Sequence, residues 1–167
     1  MIKTFNSLFV TMFGLGKIKF IPGTLGSLIT TITLYFLFHT LNISPNIILI
    51  GLMIIFIYSF YAISSYIETS ENKDPGEIII DELLGQSIPI YLFEISHRSS
   101  EDGGEVIVYY FLFFILFRYF DIMKPFPVSF FDKNFKNSFG VIMDDICAGF
   151  FVVLTVVCFM IIKSYVL

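Results

Sequence analysis

Five apolar stretches separated by turn-forming residues organise this chain. Leu25–Leu41 and Ile47–Ile67 carry no charge. Ile78–Phe93 is apolar apart from Asp81, Glu82 and Gln86, and Val106–Ile122 apart from Arg118 and Asp121 near its end. Ile146–Ile162 is uncharged and directly follows Asp144 and Asp145. Between them lie Asn42–Pro45, Asn72–Gly76, Ser96–Gly104 and Lys124–Gly140, which carry turn chemistry. A helix of ~20 apolar residues matches the ~30 Å hydrocarbon core of a bilayer. Backbone facing lipid must satisfy its own hydrogen bonds, which makes each spanning stretch helical. The pattern predicts an all-α, polytopic membrane protein with about five transmembrane helices. A shorter segment, Phe5–Phe13, precedes the Gly14–Gly16 break and predicts an interfacial or re-entrant helix. No internal repeat interrupts the series, so residues 1–167 read as a single integral membrane domain. The N-terminus lacks the small-residue cleavage pattern of a secretory signal and reads as mature protein.

Composition strengthens the membrane reading. Apolar residues make up 56% of 167, charged residues 14%, and 22 are Phe. The mean hydropathy is +0.85. A water-soluble domain of this size would expose large apolar patches. The net charge of −4 argues against a nucleic-acid partner. Cys147 and Cys158 share one apolar stretch without metal or redox spacing, and read as small buried apolar residues.

Lys and Arg give an orientation. With the N-terminus in the cytoplasm and five alternating helices, Lys3, Lys17, Lys19, Lys73, Arg118, Lys124, Lys133 and Lys136 fall on the cytoplasmic side, and Arg98 and Lys163 on the other. The acidic residues, which contribute little to that rule, then converge on the same face. Asp81 and Glu82 open the third span, Asp121 closes the fourth, and Asp144 and Asp145 open the fifth. Carboxylates at the edge of a span are costly to keep and mark function. Five of them repel one another unless something offsets the charge. Arg118 and Lys124 can offset two, and a bound Mg²⁺ suits the remaining hard oxygen ligands. Adjacent helical residues point ~100° apart. One member of each acidic pair is therefore placed to bind metal directly, the other to accept hydrogen bonds around it or to act as a base. Arg118 and Asp121 share a helix face and can also simply pair with each other.

Pro22-Gly23-Thr24-Leu25-Gly26-Ser27 opens the first span. Proline suits a helix start, and a helix N-terminus with close backbone access is a ready phosphate site. Thr24 and Ser27 add hydroxyls, and Lys17 or Lys19 adds charge. The two histidines, His39 and His97, fall on the opposite side, which disfavours a phosphohistidine route. Cys147 lacks a phosphate-cradling loop, and no Asp-x-Asp pair offers an aspartyl phosphate. The remaining chemistry is hydrolysis by metal-activated water, with the metal and the phosphate-side cations Arg118 and Lys124 absorbing charge and a carboxylate taking the proton.

Four stretches together resemble the phosphatidylglycerophosphatase A family. They are Pro22–Ser27, Asp81-Glu82-Leu83-Leu84-Gly85, Phe117-Arg118-Tyr119-Phe120-Asp121-Ile122-Met123-Lys124-Pro125-Phe126-Pro127, and Gly140 through Asp144-Asp145-Ile146-Cys147-Ala148-Gly149. They occur in the family's order and span nearly the whole chain. The resemblance implies a Mg²⁺-dependent phosphatase of the bacterial inner membrane, with its site facing the cytoplasm. Such an enzyme converts phosphatidylglycerophosphate to phosphatidylglycerol and phosphate. Asn137-Ser138 stands where the family usually has Gly-Gly, and Lys19 where Pro is common; either Asn137 or Ser138 can cap the last helix instead. The alternatives to the hydrolase are a metal-dependent lipid headgroup phosphotransferase and a non-enzymatic membrane transport subunit. The oligomeric state has no signature in the sequence.

Overall fold

The computed structural model describes residues 2–69, 76–97 and 103–166. Lys73 and Arg98, which entered the orientation count, lie outside them, as does most of the turn segments Asn72–Gly76 and Ser96–Gly104. Among the described residues there are helices and no strands. In chain order they are α1 (Ile2–Val10), α2 (Pro22–Tyr35), α3 (Pro45–Thr69), α4 (Ile80–His97), α5 (Gly103–Met123), α6 (Val128–Asn134) and α7 (Ser138–Val166).

Among the described residues, three helices are long and apolar enough to cross a membrane: Pro45–Glu68, Gly104–Met123 and Ser138–Tyr165. Their outer faces expose large apolar side chains, such as Ile54 and Ile57 on α3 and Phe111 on α5, as lipid contact requires. The other two predicted spans are shorter or more polar. α2 is α-helical for 14 residues and then widens into a π-type turn, Phe36–Thr40. Its Ser27, Thr30 and Thr31 hydroxyls donate to the carbonyls one turn back, satisfying themselves within the helix. α4 has 18 residues, but Asp81, Glu82, Glu94 and Pro89 interrupt its apolar character. Cys147 is half-buried and Cys158 is exposed on α7, so the expectation of two buried cysteines fails for the second.

The predicted N-terminal segment forms α1, displaced a few residues toward the start. Phe5 and Leu8 stay exposed, while Asn6 and Val10 are buried. Tyr58 of α3 donates to Asn6 Oδ1 at 2.7 Å, and the Val10 carbonyl accepts from Ile79 N at 3.0 Å. That second bond ties α1 to the entry of α4.

α4 is the central element, and its crossing with α7 fixes the polar site. A Cβ on Gly85 would lie 2.5 Å from the Asp145 carbonyl oxygen and 2.7 Å from the Phe117 ring. One on Gly149 would run into the Gly85 carbonyl. Small residues let helix backbones approach closely in a membrane. Gly85 lies four residues after Asp81 and Gly149 four after Asp145, so each glycine sits one turn beneath an acid of its own helix. The close approach therefore carries the two acidic turns together.

Candidate active site

Asp81 and Glu82 stand on the first turn of α4, and Asp145 is the eighth residue of α7. One carboxylate oxygen from each of the three lies within 4.8 Å of the others. In the same group, Asp81 Oδ1 and Glu82 Oε2 are buried without a hydrogen-bond partner. Orphaned buried acceptors are rare and point to water or an ion. An all-oxygen donor set of negative charge fits a hard divalent cation rather than a soft metal.

The other two predicted carboxylates are present but differently engaged. Asp121 Oδ2 pairs with Arg118 Nη1 at 2.7 Å, and Asp144 Oδ2 accepts from Lys124 Nζ at 2.9 Å. All five carboxylates line one small cavity of about 120 Å³, together with Lys124, Asp132 and Lys136. The five acids thus converge as expected, with three close enough to share an ion and two holding cations at its border.

The predicted phosphate-side residues divide in the same way. Arg118 Nη1 donates to Ser27 Oγ at 3.4 Å, and Ser27 donates in turn to the Gly23 carbonyl. A Cβ on Gly23 would meet the Glu82 carboxylate and would lie 3.2 Å from Arg118 Nη1. The start of α2 therefore abuts the acidic site through the one residue type that allows it. Pro22 is the first helical residue, as its chemistry predicts. Thr24 is half-buried beside this contact, and Lys17 is exposed at the end of the short turn Leu15–Lys17. Lys17, Thr24, Ser27 and Arg118 are not on the cavity wall.

Asn137 caps α7, its Oδ1 accepting from Gly140 N at 3.1 Å, while Ser138 bonds to Ser64 of α3. The sequence reading missed Asp132, which lies on α6 in a segment taken as loop. Its Oδ1 accepts from Lys124 Nζ at 2.7 Å. The available signal was a single acid in the aromatic run Phe130-Phe131-Asp132. Partial burial works against the Lys124 charge, but hydrogen bonds from its ammonium to Asp132 and Asp144 outweigh it and push its pKa up. Burial likewise raises Asp132, but the hydrogen bond and charge of Lys124 hold it below the usual carboxylate range.

The phosphatidylglycerophosphatase A family model matches residues 8–160. The chain belongs to that family. It is 35% identical to the phosphatidylglycerophosphatase A of Haemophilus influenzae, over 86% of this chain and 82% of that protein. It is 28% identical to the Escherichia coli protein of the same name, over 82% of this chain and 73% of that one. A Bacteroides thetaiotaomicron protein with the provisional name phosphatidylinositol-3-phosphatase is 32% identical over 83% of each chain. No solved structure matches. Membership makes the chain a phosphoric monoester hydrolase and gives no support to the phosphotransferase or transport readings.

Proposed function

We propose that this protein is a Mg²⁺-dependent phosphatase that hydrolyses phosphatidylglycerophosphate to phosphatidylglycerol and phosphate at the cytoplasmic face of a bacterial inner membrane. The observation that carries this reading is the group Asp81, Glu82 and Asp145, whose carboxylates come within reach of one ion while Asp81 Oδ1 and Glu82 Oε2 stay buried without a partner. The names of the Haemophilus and Escherichia relatives supply the headgroup. The 167 residues act as one catalytic domain. α2 with its π-type turn and α4 complete five crossings alongside the three long apolar helices.

Asp81, Glu82 and Asp145 would hold the cation, which would supply Lewis acidity to the site when bound. Asp144 and Asp121 border the cation site and hold Lys124 and Arg118. Those two cations draw negative charge from the phosphoryl group as it develops. Ser27 steadies Arg118, while Thr24 and Lys17 contact the headgroup outside the cavity. Water attacks phosphorus and gives its proton to a cavity carboxylate from among Asp81, Glu82, Asp144 and Asp145. The P–O bond to the glycerol oxygen breaks, and that oxygen takes the proton from the carboxylate, which releases the alcohol and regenerates the base.

The Bacteroides relative's name motivates a second substrate, phosphatidylinositol 3-phosphate, for the same site. Phosphate release by purified protein from both lipids, with and without Mg²⁺, tests the reading. It predicts Mg²⁺-dependent release that is faster from phosphatidylglycerophosphate. Release unchanged by chelation, or confined to the inositol lipid, contradicts it.

A further inference from the structure

Lys124 is held in a way that an ordinary surface ion pair does not require. It ends α5 in the left-handed region, with φ of +44°, and its N–H closes the helix on the Phe120 carbonyl at 2.9 Å. A non-glycine residue there costs on the order of 1 kcal/mol and persists only where its surroundings enforce it. Beyond the backbone, two carboxylates from different helices hold its ammonium. Asp144 comes from α7 and Asp132 from α6, at 2.9 Å and 2.7 Å from Nζ.

α6 is itself well anchored. Val128 is fully buried at its start, and Phe131 and Phe135 pack against Phe139 at the entry of α7. Asp132 therefore stands on a fixed platform, independent of any bound lipid. A lysine ammonium has three N–H donors. Two are taken by the carboxylates, and Lys124 lies on the cavity wall.

We propose that Asp132 is a positioning residue which, with Asp144, holds Lys124 so that its remaining N–H is presented to a phosphoryl oxygen in the cavity. The proposal rests on the phosphatase reading and adds a residue to it. A lysine side chain carries about 2 kcal/mol of rotamer entropy. Fixing the ammonium before phosphate arrives removes that cost from binding. Were the pair an ordinary exposed one, it would contribute about 0–1 kcal/mol to stability and nothing to phosphate affinity.

The test measures calorimetric binding of inorganic phosphate to the purified full chain in Mg²⁺, alongside phosphate release from lipid. The variants are Asp132→Asn, Asp132→Glu, Lys124→Gln and the double variant Asp132→Asn/Lys124→Gln. Asp132→Asn is expected to weaken phosphate binding and kcat/KM about tenfold, which corresponds to about 1.4 kcal/mol. The midpoint for Mg²⁺ should not move, because Asp132 is outside the close carboxylate group. Asp132→Glu, which keeps the charge, should recover most of the loss. The double variant should be no worse than Lys124→Gln alone, since Asp132 acts only through Lys124. Additive losses in the double variant, or unchanged phosphate affinity in Asp132→Asn while wild type is active, overturn the positioning role. Wild type that binds phosphate in an Asp132-dependent way yet releases none from any lipid phosphate sinks the hydrolase reading and leaves the positioning intact.

Discussion

The two ends of the helix bundle each bury acid, and they do so differently. At the end opposite the acidic site, Glu94 of α4 is 3% exposed. It accepts a hydrogen bond from Tyr110 at 2.9 Å and lies 2.8 Å from His39 Nε2. The rings of His39 and Tyr110 pack against each other and against Tyr35. That carboxylate has its partners within the protein. At the other end, Asp81, Glu82 and Asp145 crowd together, and two of their oxygens have no partner. Buried polar groups that are fully satisfied hold a fold together, whereas groups left unsatisfied await a ligand. One helix, α4, carries both arrangements, so the contrast cannot come from a difference in helix type or depth of burial alone.

The contrast can be broken most forcefully at the acidic end. Asp81→Asn or Asp145→Asn should lower phosphate release by about 10²–10⁴-fold, the range associated with loss of a group acting on proton transfer. The same substitutions should raise the thermal midpoint of the metal-free protein, followed by circular dichroism in detergent, because they remove repulsion between crowded carboxylates. A lowered midpoint would mean the acids stabilise the fold as Glu94 does.

Gly85→Ala comes next. Its methyl would strike the Asp145 carbonyl and push α4 away from α7. Overpacking of this kind costs about 1–3 kcal/mol, and activity should fall with it because the acids separate. Unfolding measurements paired with Mg²⁺ titration would check both effects.

At the opposite end the sign should reverse. Glu94→Ala leaves Tyr110 and His39 without their acceptor and should destabilise by about 1–3 kcal/mol. Activity per folded molecule should be unchanged. The smallest effect belongs to Asn137→Ala, which removes the α7 cap and should cost about 1 kcal/mol. Thermal unfolding reads it, and near-wild-type turnover is expected.

Much of the acidic end was legible because helix alternation is strict in a bilayer. Read as alternating spans, the starts of odd stretches and the end of an even one are expected to come together, and Asp81, Asp121 and Asp145 do line one cavity. What alternation cannot give is the depth and closeness of approach. The Gly85–Gly149 crossing that brings Asp81, Glu82 and Asp145 within 4.8 Å depends on backbone contact between helices far apart in sequence. Asp132 was invisible for a related reason: its helix is seven residues long and gains its order from packing on α7. A short helix has too little period to announce itself. The five-span pattern blurred at α2, whose uncharged run ends in a π-type turn that its sequence does not announce, and at α4, whose Asp81, Glu82 and Pro89 already marked it as more polar than the other runs. The partners of Glu94 were also hidden, since His39 and Tyr110 approach it across 55 and 16 residues of chain.

The most direct measurement is Mn²⁺ binding, as a spectroscopic stand-in for Mg²⁺, followed by electron paramagnetic resonance on purified wild type, Asp81→Asn, Asp145→Asn and Glu94→Gln. The account predicts a bound-ion signal in wild type and Glu94→Gln that is lost in both aspartate variants. Equal binding in all four proteins, or loss in Glu94→Gln alone, would contradict it.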